Sequence, residues 1–95
     1  MSVHLIVTLH AREDRRDDFA QLMAAVKQDL PTAPGCRGVS IYRQVEQPLV
    51  YTLVEHWDST AAHQAHLQRM EASGGWAALS AQLAEPPVSA YVTAL

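Results

Sequence analysis

An α+β fold, with four antiparallel strands covered on one face by helices, is predicted by three observations. Four short segments alternate apolar and polar residues with the period of two that strands show. Two longer segments repeat apolar residues at spacings of three and four. Their order along the chain is strand, helix, strand, strand, helix, strand, which is the ferredoxin-like β-α-β-β-α-β arrangement. At 95 residues the chain is expected to form one domain spanning 1–95.

The first strand is expected over residues 3–9. Val3, Leu5, Val7 and Leu9 share one face, and His4, Ile6, Thr8 and His10 the other. Glu13 and Asp14 suit a helix N-terminus, where negative charge meets the positive end of the dipole. Phe19, Leu22, Met23, Val26 and Leu30 then form one apolar stripe, and Pro31 and Pro34-Gly35 end the helix. A second strand is expected over residues 38–45, with Val39, Ile41, Arg43 and Val45 alternating against Ser40, Tyr42 and Gln44. The turn Glu46-Gln47-Pro48 is short, so residues 49–57 should return as its antiparallel hairpin partner. Asp58-Ser59-Thr60 is an N-cap cluster for a helix over residues 60–70. Ser73-Gly74-Gly75 breaks that helix, and Trp76, Leu79 and Leu83 mark a shorter segment. Pro86-Pro87 stops it, and residues 88–93 form the last strand.

Most of these strands are apolar on both faces: Ile6 beside Leu5, Tyr42 beside Ile41, Val54 beside Leu53, Val92 beside Tyr91. An antiparallel sheet with one solvated face would show a polar side. The helices cover one face, so the expected cover for the other is a second copy of the chain, in a homodimer packed through its sheet faces. A domain this small also buries only roughly 60–65% of its unfolded surface, and association helps it.

The bulk composition narrows the function. A net charge of −3, with basic residues that do not cluster beyond Arg12, Arg15 and Arg16, argues against a nucleic-acid surface. No apolar run approaches the ~20 residues that span a bilayer, so no membrane partner is expected. The opening residues carry no basic and apolar secretion pattern, and a cytoplasmic location is the expectation. Cys36 is the single cysteine, which leaves no internal disulfide and no cysteine-rich zinc site. Nor is there a phosphate loop, a nucleophile triad or a dinucleotide fingerprint, so no cofactor is expected.

The residues able to carry chemistry concentrate between 51 and 76. His63, His66, Leu67 and Met70 fall on one helical face, which must point at the sheet. Three readings of the histidines stay open. One is a core imidazole satisfied by a carbonyl or carboxylate. Another is a pocket acid or base, by placement His66, working near neutral pH. The third is a metal pair, although zinc helices space their histidines at i and i+4 with a glutamate between, and that glutamate is missing. Glu55 and Trp57 share a strand face with Tyr51 and Leu53. Trp57 serves either as a core aromatic or as a flat wall for an aromatic ligand. Glu55 needs a partner if buried, with Arg43 and His66 as candidates. Tyr42, Tyr51, Tyr91 and Trp76 can donate hydrogen bonds to a ligand oxygen, or serve as core and interface aromatics.

Gly35-Cys36-Arg-Gly-Val-Ser-Ile-Tyr42, then Tyr51-Thr-Leu-Val-Glu55-His-Trp57-Asp-Ser59, then Ala65-His66-Leu67 resemble the antibiotic biosynthesis monooxygenase domain family, especially its small quinol-monooxygenase-like members. The shared features are a Gly-Cys turn before the second strand, a Glu-x-Trp-x-Ser strand end, and a histidine nine residues beyond the tryptophan. The resemblance implies a dimeric α+β barrel with a pocket between sheet and helices in each subunit. It also implies oxygenation of a phenolic, quinol or other small aromatic compound by molecular oxygen, without metal or flavin. His66 matches the family histidine and would be the acid/base. Trp57 and Glu55 match the strand-end signature, which in the family is as much structural as catalytic. With Tyr42, Trp76 and His63 from the reading of the residues themselves, they are the side chains expected around the small aromatic or quinone-like ligand. The heme-degrading branch of the family uses a first-strand asparagine and a tryptophan where His66 stands; this chain has no asparagine, so heme degradation is not expected. Many relatives follow the histidine with Ser-Pro-His and an aromatic, where this chain has Arg69-Met-Glu-Ala-Ser-Gly-Gly-Trp76. That altered wall keeps two other expectations open: a non-catalytic barrel binding a small hydrophobic ligand in a stress or regulatory role, and isomerase or other proton-transfer chemistry.

Overall fold

Alternation and helical periodicity become seven regular elements in the computed structural model, which describes residues 1–95. They are β1 (Val3–His10), α1 (Arg16–Asp29), β2 (Cys36–Arg43), β3 (Val50–Trp57), α2 (Thr60–Ser73), α3 (Gly75–Ser80) and β4 (Val88–Val92). Single 3-10 turns at Glu13–Arg15 and Leu30–Thr32 flank α1. The sheet runs β2-β3-β1-β4 with every neighbouring pair antiparallel, the ferredoxin-like α+β topology.

Register assigns the two faces. One rung sets Val39, Glu55, Leu5 and Tyr91 side by side, and the next sets Ile41, Leu53, Val7 and Ser89. These residues face the helices. The intervening rungs, among them Ser40-Val54-Ile6-Ala90 and Tyr42-Thr52-Thr8-Val88, face away. His4 and His56 pair on that outer face with rings stacked at 4.2 Å. Under the helices, Val7, Leu9, Ala11, Phe19, Met23, Tyr51 and Leu53 form one cluster, so α1 is the helix that seals the core. Burial of Phe19 and Met23 in α1 realises its apolar stripe, while Glu13, Asp14 and Asp18 pair with Arg16, Arg12 and Arg15 at the surface.

Several boundaries differ from expectation for identifiable reasons. Strand β2 starts at Cys36 rather than 38, with a register shift between Cys36 and Gly38. It ends at Arg43, because the Gln44 N–H already donates to the Val50 carbonyl as the hairpin closes, leaving Val45 exposed in the loop. Helix α2 continues three residues past 70, to Ser73, and stops where Gly74 adopts the left-handed conformation (φ +83°). Leu83 lies beyond α3 and bridges Ala11, so it closes the end of β1 rather than extending the helix. No helix is long and apolar enough to cross a membrane.

Candidate functional site

Where α1 leaves the sheet uncovered, α2 and α3 stand off it and enclose a cavity of about 300 Å³. Leu5, Val7, Leu9 and Leu53 make its floor, with Glu55 and Ser89. Met23, Val26 and Leu30 of α1 make one wall. His63, His66, Leu67, Met70 and Glu71 of α2 make the opposite wall, and Trp76 and Leu79 of α3 close the end. Eleven of the seventeen lining residues are hydrophobic, so the polar groups are few and their positions matter.

Two local devices hold α2 in place. The Ser59 hydroxyl accepts the Ala62 N–H at 3.1 Å and caps the helix. Gly35, at φ +83°, packs against the first turn so closely that an added Cβ would lie 2.7 Å from the Ala62 Cβ. The Asp58 N–H donates to the Gly35 carbonyl at 2.8 Å, tying the turn before β2 to the start of α2. The histidine wall is therefore anchored at its N-terminal end.

Glu55 is buried, at 7% exposure, and its Oε1 accepts the Trp57 indole N–H at 2.9 Å. Burial pushes the carboxyl above its ordinary pKa, an effect that the indole hydrogen bond partly offsets. Neither expected partner holds it. The register puts Val39, not Arg43, beside Glu55, and Arg43 instead reaches the Tyr51 hydroxyl at 3.5 Å and lies over that ring. His66 shares the cavity with Glu55 but makes no hydrogen bond to it.

Trp57 is wholly buried and lines no part of the cavity. It lies behind the histidines, its centroid 5.3 Å from the His63 ring and 5.2 Å from the His66 ring. The expected ligand wall at Trp57 is therefore not part of the cavity lining, and its indole packs behind the histidines. His63 is buried, with Nδ1 2.6 Å from the Tyr91 hydroxyl of β4. His66 is half-buried, with neither ring nitrogen hydrogen-bonded in the chain. Burial lowers the pKa of both; His66 adds to the effect at His63, and Arg69 adds to it at His66. Both imidazoles are thus biased toward the neutral form that can take a proton.

Of the residues expected around a ligand, the cavity brings together His66, His63, Glu55 and Trp76. It does not include Tyr42, which stands on the opposite face of the sheet, 59% exposed. The alternation of β2 already put Tyr42 opposite Val39 and Ile41. Tyr91 is the residue whose importance is greater than expected, because its partner His63 sits 28 positions away in sequence. Met23, Val26 and Leu30 read as core from periodicity; they also serve as cavity wall.

The antibiotic biosynthesis monooxygenase family model matches residues 2–75. Among solved structures, a candidate antibiotic biosynthesis monooxygenase from Bordetella bronchiseptica is 26% identical, with 99% of this chain and 97% of that chain covered and a TM-score of 0.81. Rv0793 from Mycobacterium tuberculosis is 21% identical over 100% and 96%, with a TM-score of 0.84. PA3566 from Pseudomonas aeruginosa is 17% identical over 99% and 94%, with a TM-score of 0.82. At those identities the last two establish the shared fold alone. No functionally curated protein is significantly similar to the chain.

Proposed function

The chain belongs to the antibiotic biosynthesis monooxygenase family, and from that premise we propose that it oxygenates a small phenolic or quinol-type compound with molecular oxygen, without metal or flavin, using His66 as acid and base. The observation that carries the reading is the 300 Å³ apolar cavity with, on its wall, an imidazole that makes no hydrogen bond in the chain and whose pKa burial lowers. A phenol bound there gives its proton to His66 and becomes electron-rich enough to reduce oxygen. One oxygen atom enters the ring and the other leaves as water, with the quinol supplying the electrons. The protein contributes deprotonation, orientation and exclusion of bulk water.

The working unit in this reading is a homodimer packed through the outer sheet faces, which closes the α+β barrel. Ile6, Tyr42, Val88 and Val92 are exposed on that face and supply its apolar surface.

Oxygen uptake with a panel of hydroquinones and naphthoquinols tests the activity. His66→Ala should lower kcat by about 10²- to 10⁴-fold, the usual contribution of a general acid–base group. An unchanged rate would remove His66 from the mechanism. A tightly held ligand with no oxygen uptake would favour the non-catalytic reading.

A further inference from the structure

We propose that Tyr91 holds His63 in its Nε2–H tautomer, making His63 a standing hydrogen-bond donor to an acceptor oxygen, a carbonyl or a phenolate, of the compound in the cavity. The inference deepens the function proposed above and rests on that reading for the identity of the cavity as the working site. It separates two histidines one helical turn apart into two roles.

The distance between the Tyr91 hydroxyl and His63 Nδ1 is 2.6 Å. Hydrogen bonds donated by an N–H to oxygen cluster near 2.9–3.0 Å, whereas those donated by a hydroxyl run shorter, so the 2.6 Å separation suits the phenol as donor better than the ring N–H. A neutral imidazole has one N–H and one bare nitrogen. With Nδ1 accepting from Tyr91, the proton of His63 resides on Nε2.

The ring has little freedom to turn away. Trp57 packs against it at 5.3 Å and 59°, and Tyr91 meets it edge-on at 5.5 Å and 80°. Tyr91 and Glu55 flank Leu5 on one rung of the sheet, so the clamp on His63 stands on the strand beside the cavity floor, and Tyr91 itself does not line the cavity. Nε2 makes no hydrogen bond within the chain, and it is not among the fully enclosed unpartnered atoms, which are His56 Nε2 and Gln82 Oε1. On a residue that lines the cavity, this open nitrogen can donate to an oxygen of a bound compound.

His66 shares the Trp57 contact, at 5.2 Å, but has no hydrogen-bonding partner equivalent to Tyr91. Its nitrogens are both unengaged, so it can exchange a proton while His63 keeps its own. Tyr91 is then a positioning residue: it acts on the ligand only through His63.

Long-range proton–nitrogen NMR of the wild-type protein at neutral pH, with His63 assigned through His63→Gln, reads the tautomer directly. A proton on Nε2 and a bare Nδ1 are expected; a proton on Nδ1 overturns the proposal. Binding supplies the second arm, using 1-tetralone and tetralin, which share a skeleton and differ by the carbonyl. Tyr91→Phe should weaken 1-tetralone binding about three- to tenfold, the worth of one hydrogen bond, and leave tetralin unchanged. Equal losses for both compounds, or no preference of the wild type for the ketone, would overturn the donor role. Should Tyr91→Phe fail to fold, the wild-type spectrum and the wild-type preference decide alone. None of these measurements uses oxygen, so a monooxygenase reading that fails leaves this result standing, and the reverse also holds.

Discussion

Glu55 is buried against an indole rather than against a cation, and two consequences follow at the scale of single residues. The first concerns satisfaction. Glu55→Leu strands the Trp57 N–H in the core, which should cost about 1–3 kcal/mol, whereas Glu55→Gln keeps an acceptor in place. The second concerns pH. A carboxyl whose folded pKa is raised contributes stability that is full below the unfolded value of about 4.3 and is lost as pH rises toward the folded value. Urea unfolding at pH 4 and pH 8 should therefore show a decline in the wild type that is smaller in Glu55→Gln. Equal declines would mean that the carboxylate is as well solvated folded as unfolded. His63 works in the opposite sense. Its folded pKa is lowered, so its contribution is full above about 6.5 and is lost as pH falls through the folded value. His63→Gln should flatten the acid side of a melting-temperature profile between pH 7 and pH 5, and an unaltered acid slope would place the sensitivity elsewhere.

At the scale of elements, the sequence makes faces legible but not partners. Period-two alternation assigns Glu55, Trp57 and Leu53 to one side of β3 and Tyr42 to the outer side of β2, and register confirms both. Helical spacing sets His63, His66, Leu67 and Met70 on one wall, as the cavity shows. The bond between Tyr91 and His63, and the choice of Trp57 over Arg43 for Glu55, depend on which strands become neighbours and in what register. No local pattern encodes that. The placement of α2 is likewise a tertiary property, and a glycine pair tests it. Gly35 and Gly74 both adopt φ +83°, but only at Gly35 would a Cβ meet a neighbour, Ala62 Cβ at 2.7 Å. Gly74→Ala should cost about 1–2 kcal/mol, the left-handed penalty alone. Gly35→Ala should cost more and should also weaken 1-tetralone binding, because relieving the contact displaces the histidine wall. Chemical denaturation and ligand titration of both variants check this; equal losses with intact binding would show that α2 tolerates the shift.

For the molecule as a whole, surface area argues for a second copy. The chain exposes 5998 Å², while a self-contained monomer of 10.5 kDa is expected to expose about 5400 Å². A standard interface takes ~800 Å² from each partner, and the chain has exposed apolar side chains to supply part of it. Much of the apolar share lies on the outer sheet face, where Ile6, Val54 and Ala90 occupy the central rung and Tyr42 and Val88 the rung beside it. Thr8, Thr52 and Ser40 interrupt it with hydroxyls that can bond across an interface. Ile6 is 39% exposed in the single chain, so Ile6→Lys lets the ammonium reach water there and leaves the helix-side core untouched. In a face-to-face dimer the same lysine is buried opposite apolar neighbours without a counter-charge. Light scattering coupled to gel filtration should therefore report a dimer for the wild type and a monomer for Ile6→Lys, with far-ultraviolet dichroism unchanged. The monomer should also melt at a lower temperature, and the wild-type melting temperature should rise with protein concentration while that of the variant does not. A wild type that runs as a monomer at tens of micromolar, or an Ile6→Lys protein that stays dimeric, would rule out the sheet face as the interface.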